Sequence, residues 1–164
     1  MLSPEKTFSG PNTMIPWTYR YASRDFGSFL SDAKQRMDLV SDNSTYTAVD
    51  AVFQVFRRRL TVEQGLAFAG ALPSVLCAIF IREWDVTRKP VPFSSREVMS
   101  REAQQVRKHH NLTPDNAIEA TAWALRRHVD QRDLDRVLEA LPLAAREYWH
   151  VDVADPAELQ QRIF

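Results

Sequence analysis

Phe26, Phe29, Leu30, Ala33 and Met37 recur at steps of three and four, the apolar stripe of a helix with one buried face. Val49, Val52, Phe53, Phe56 and Leu60 repeat that spacing, which predicts a second helix with Ser44 or Asn43 as its N-cap. Thr61, with Gln64 three residues on, has the pattern of a capping box and opens a third. Pro73 cannot continue that helix, so residues 62–71 and 74–81 are expected as two pieces. His109 and His110 end another predicted helix, and Thr113-Pro114 starts the next. Near the C-terminus Asp155-Pro156 with Glu158 reads as a cap, a proline at N1 and an N3 partner for a short last helix. The long stretches between prolines lack the Val/Ile/Thr alternation of strands, so the expected fold class is all-α, a helical bundle.

The pattern repeats. A gapless shift of 69 residues lays Leu72-Pro73 on Leu141-Pro142, Arg57-Arg58 on Arg126-Arg127, and Ala48, Ala51 and Ala71 on Ala117, Ala120 and Ala140. These are seven identities over residues 48–80, where ordinary residue frequencies give about two or three by chance. The second stripe maps to Ile118, Thr121, Ala122, Leu125 and Val129, and the cap Thr61 maps to Asp130. The bundle is therefore expected to consist of two tandem pseudo-repeats of three to four helices each. The expected organisation is an N-terminal extension at 1–18, one domain at 19–152 with pseudo-repeats at 24–85 and 93–151, and a short helix or tail at 153–164.

Composition narrows the function classes. At 164 residues and 45% apolar content the chain can bury one sizeable core. The 21 basic residues equal the 21 acidic ones, so no basic excess points to nucleic acid. A single cysteine cannot form an internal disulfide, and no charged-then-apolar leader opens the sequence, which together predict a cytoplasmic setting. Four glycines leave no phosphate-cradling loop of the usual kinds.

Several segments in order resemble a known family: residues 19–29, residues 51–60 leading into Leu72-Pro73, Glu83-Trp84-Asp85, the linker 91–97, and residues 125–128 with Leu141-Pro142. Over residues 19–151 the chain resembles the bacterial family called domain of unknown function 2267. The resemblance implies a small all-helical bacterial protein and brings no activity with it. Residues 1–13 look like an addition to the family pattern, with Met14 as an alternative start.

Residues 65–81 carry no charge over 17 positions, the lower edge of a membrane span. Their counterparts at 134–150 include Asp135, Arg136, Glu139, Arg146 and Glu147, so a helix pair in the middle of the fold or against a second subunit is the better reading. Cys77 lies inside that run, where burial would leave it inert. The asymmetry predicts a homodimer through Ala67, Phe68, Val75, Ile79 and Trp84. Arg57, Arg58, Arg126 and Arg127 form the alternative, a basic patch for nucleic acid, but their place in the last turns of helices assigns them to helix-end carbonyls. Glu147 and His150 have the spacing of a di-iron ligand pair, yet the repeat counterpart at 78–81 supplies no second pair. An enzyme would need His109, His110, Asp115 and His128 in one cleft. The Trp17 to Tyr21 aromatics are either a docking strip or a strap over their own domain. The expected function is a non-enzymatic interaction module, without cofactor or metal, that binds a macromolecular partner or a small effector.

Overall fold

A computed structural model describes residues 15–106 and 113–160, and every regular element among them is helical. The chain runs through α1 (Trp17–Arg20), α2 (Ala22–Met37), α3 (Asp42–Arg57), α4 (Val62–Gly70), α5 (Ser74–Ile81), α6 (Arg96–Gln105), α7 (Ala117–His128), α8 (Gln131–Glu139) and α9 (Leu143–Tyr148), then a 3-10 helix at Pro156–Leu159. The expectations for residues 1–13, Met14, His109 and His110 lie outside the described residues.

Local chemistry explains most of the boundaries. Thr61 accepts from the Gln64 amide at 3.2 Å while the Gln64 side chain accepts from the Thr61 amide at 2.9 Å, the reciprocal capping box that starts α4. Asp130 does the same work for α8 by accepting from the Arg132 and Asp133 amides. Pro73 and Pro142 stand at the N-caps of α5 and α9 with nearly the same dihedrals, φ −55° and ψ 154° against φ −54° and ψ 151°. α2 stops where Asp38 turns left-handed at φ 54° and the Leu39 amide reaches back to the Lys34 carbonyl.

Three boundaries differ from the sequence reading. α3 is capped by Ser41, not Ser44 or Asn43: the Ser41 hydroxyl accepts from the Ser44 amide at 3.1 Å, and the Ser44 hydroxyl is drawn back to it. In a run of cap-forming residues the earliest one gains the helix more backbone bonds. α7 begins at Ala117 rather than at Thr113-Pro114, because Asn116 ties the turn to the end of α2 by donating to the Arg36 carbonyl at 2.9 Å. The last segment is a 3-10 turn capped by Asp155, and Glu158 does not reach back to the cap; its carboxylate accepts from the Trp123 indole N–H instead.

α2 packs on α7 and α6 on α3, and α4 meets α8. α3 and α7 are the most enclosed elements, with Val52, Phe53, Phe56, Ala122 and Leu125 all without solvent contact. Phe53, Phe56, Phe68 and Phe80 from the first half interlock with Tyr148 and Trp149 from the second, with ring centroids 4.8 to 6.0 Å apart. The Tyr148 hydroxyl donates to the Val52 carbonyl at 2.7 Å, and burial pushes its ionisation far above the usual phenol range. No helix among the described residues is long and apolar enough to cross a membrane.

Gly65 is required by a close approach. A Cβ there would sit 2.2 Å from the tip of the Trp84 indole. Gly65→Ala is therefore expected to displace Trp84 and to lower the unfolding free energy by about 1–3 kcal/mol, read from the denaturation midpoint. An unchanged midpoint would show that the indole moves aside freely.

Candidate functional site

The paired arginine clusters do not form one basic surface. Arg57 is only 8% exposed, and its Nη1 donates to the carbonyls of Phe80 at 2.8 Å and Arg82 at 3.0 Å. Arg126 donates through Nε to the Trp149 carbonyl at 2.9 Å and through Nη1 to Asp135 at 3.1 Å. Both side chains thus cap the ends of other helices, α5 and α9, rather than their own. Of these arginines it is Arg59, two residues past α3, that bonds a carbonyl of the preceding helix, that of Val55, while its other nitrogen meets Glu102 of α6 at 2.7 Å. Arg58 is exposed and lies 3.8 Å from Glu102.

Arg127 closes a buried network between the halves. Its Nε donates to Asp32 at 3.1 Å, and the same carboxylate oxygen is 2.7 Å from Nε2 of His128. Asp32 lies on α2, so this cluster joins α2 to the end of α7 much as Arg59 and Glu102 join α3 to α6. The Arg127 guanidinium also covers the Trp123 ring at 4.6 Å and bonds the Glu158 carbonyl. The histidine-based cleft of the enzyme reading does not form from the described residues: Asp115 precedes α7 and accepts from Gln104, whereas His128 ends α7, about 18 Å away by helical rise. His150 meets Asp152 at 2.8 Å, and no group of three or more His, Cys, Asp or Glu among the described residues has metal-binding proximity.

The residues expected at an interface divide. Ala67 is exposed and Val75 and Ile79 are half-buried, but Phe68 is fully buried among the aromatics because it stacks on Trp149 at 5.3 Å. Phe68 is therefore core and not surface. Trp84 is half-buried against Gly65 and Phe80. Cys77 is half-buried. Trp17 and Tyr19 are 69% and 64% exposed, while the Thr18 carbonyl accepts from Ser74 at the start of α5.

A concave polar site lies beside the end of α3. It is a cleft of about 320 Å³ between the end of α3 and residues 82–91, walled by Arg57, Arg58, Trp84, Arg88 and Lys89. The connection is held at both ends. The Val91 amide donates to the Arg58 carbonyl at 3.0 Å, and Thr87 donates to Asp85 through its amide and its hydroxyl. Those two bonds hold the Asp85 carboxyl below the usual range. Glu83 adopts φ 57°, a left-handed conformation uncommon for a residue with a side chain. Arg88 and Lys89 are not among the sequence-derived candidates; two adjacent cations four and five residues after a tryptophan are the available signal.

The family model described as "Uncharacterized conserved protein (DUF2267)" matches residues 26–148. The chain belongs to this family. No curated protein matches it. The DUF2267 match takes in the cleft, the Arg57 tie and the Asp32, Arg127 and His128 side chains, and leaves α1, Trp149 and the 3-10 helix outside. In this DUF2267 chain Asp32 is, among the described residues, the one carboxylate bonded to both Arg127 and His128. Asp32→Ala leaves a buried guanidinium without a counter-ion and is expected to cost about 3–5 kcal/mol by chemical denaturation. A loss below about 1 kcal/mol, the range of exposed pairs, would show that the network is dispensable.

Proposed function

We propose that the protein is a non-enzymatic interaction module made of two copies of one helical unit, which pairs with a second copy of itself through the outer face of α4 and α5. Duplication is supported by α4 and α8, whose bounds are both offset by 69 residues, and by Arg57 and Arg126, which reach carbonyls, of Phe80 and Trp149, with the same offset.

The observation that carries self-pairing is what each copy exposes. Leu66, Ala67, Gly70, Ala78 and Ile81 are exposed on α4 and α5, and the positions 69 residues later, also exposed, are Asp135, Arg136, Glu139, Glu147 and His150. Equivalent surface positions thus carry charge or polarity in one copy and apolar groups in the other. Keeping Leu66 at 56% exposure and Ile81 at 41% gives an apolar patch suited to cover by an identical patch across a two-fold axis. The nucleic-acid reading is weaker, since Arg57, Arg126 and Arg127 already hold internal partners. With its single cysteine, such a homodimer fits the reducing cytoplasm of a bacterial cell.

Light scattering coupled to size exclusion tests the pairing. The expected mass is twice the 18.9 kDa of the chain. The double change Leu66→Asp with Ile81→His, which moves the first copy towards the residue types of the second, is expected to return it to 18.9 kDa with the helical signal intact. A wild-type monomer throughout the micromolar range removes the proposal.

A further inference from the structure

Of the three arginines buried in the fold, Arg59 and Arg127 each meet a carboxylate, at 2.7 and 3.1 Å, and Arg57 meets none within 4.0 Å among the described residues. Both of its hydrogen bonds leave from Nη1 and end on neutral carbonyls. Burial pushes this guanidinium below its usual value, yet a guanidinium keeps its charge in a protein. A buried cation without a counter-ion is costly. Asp50, the nearest acidic influence from its own helix, is hydrogen-bonded to Gln54.

The unpaired charge lines the cleft of about 320 Å³, whose other cations are Arg58, Arg88 and Lys89 and whose carboxylates are Glu83 and Asp85. Arg88 is held by Asp85 at 3.3 Å, and Arg58 stands 3.8 Å from Glu102, which Arg59 binds more closely at 2.7 Å, so Lys89 and the loosely held Arg58 are the cations at the mouth besides Arg57 inside. Four cations line the wall against two carboxylates, an excess of positive charge that suits a phosphate monoester. Trp84, Leu60 and Val91 supply an apolar side. A space of this size takes a small molecule, and a planar guanidinium fork matches phosphate oxygens.

We infer that the cleft between the end of α3 and residues 82–91 is a binding site for a small phosphate monoester with an apolar or aromatic body, its phosphate on Arg57, Arg58 and Lys89 and its body against Trp84. The ligand supplies the counter-ion that the fold withholds from Arg57. No bond is made or broken.

Isothermal titration of the full chain with phenyl phosphate, inorganic phosphate and benzoate tests the site. The expected result is saturable binding of one phenyl phosphate per chain, with inorganic phosphate and benzoate each weaker by about tenfold or more. Lys89→Glu, at an exposed position, is expected to weaken phenyl phosphate by about tenfold with the helical signal and the particle mass unchanged. Arg57→Lys keeps the charge but loses the fork and should weaken it as well. The inference is overturned if phenyl phosphate gives no saturable heat at millimolar concentration, or if Lys89→Glu and Arg58→Glu leave its affinity unmoved. It is also overturned if a single-stranded RNA competes at lower concentration than phenyl phosphate and loses its hold as salt rises. Since the particle mass is read in the same samples, loss of the ligand and loss of self-pairing register separately.

Discussion

A short helix that ends inside a protein presents carbonyls that its own backbone cannot satisfy, and an unbonded buried carbonyl costs more than a hydrogen bond gains. α5 has eight residues and α9 six, and both end against the core, at Phe80 and Trp149. Arginine solves the problem at each end, because its long stem lets a donor from one helix reach the terminus of another. Arg57 serves α5, while Arg126 and Arg96 together serve the residues that follow and end α9. The aromatic cluster depends on these ties, since Phe80, Tyr148 and Trp149 enter it from the very turns the arginines hold.

Much of this was legible in sequence and some was not, for reasons that can be traced. The stripe of α2, the capping box at Thr61, the cap at Asp130 and the breaks at Pro73 and Pro142 are local signals, and each acts within a few residues of itself. The partners of Arg57 and Arg126 lie 23 residues away, and spacing along a helix carries no information about them. The same limit put Phe68 at an interface. A fully apolar stretch has no polar face to show which side is inward, whereas Leu66 and Phe68 face opposite environments. α7 starts later than its sequence signals because Asn116 is fixed by the Arg36 carbonyl of α2, a tertiary bond that outweighs the cap signal of Thr113.

Asymmetry between the halves is concentrated where a glycine admits a tryptophan. In the proposed duplication Leu134 stands where Gly65 does, and Leu134 is fully buried, filling its own space with its own side chain. Gly65 leaves that space empty, Trp84 enters it, and the connection to α6 is drawn in as one wall of the cleft. The left-handed Glu83 lies directly before Trp84, which suits a turn that must redirect the chain in one residue. The absent side chain at Gly65 and the wall that Trp84 forms thus go together.

The second half resolves its buried charge in the opposite way. Arg127 is no less enclosed than Arg57 by much, but Asp32 gives it a carboxylate and the 3-10 helix gives it the Glu158 carbonyl. Trp123 lies between the guanidiniums of Arg36 and Arg127 and donates its N–H to Glu158, whose carboxylate also approaches Arg36 at 3.5 Å. Each of these cations has an anion supplied by the chain, and the 3-10 helix packs over them against α7. At Arg57 the chain supplies carbonyls and stops, and an open cleft begins at that point. A fold that gives two buried arginines a carboxylate and leaves the third facing a cavity separates holding from binding, the first through Asp32 and Glu102 and the second through whatever anion the cleft receives.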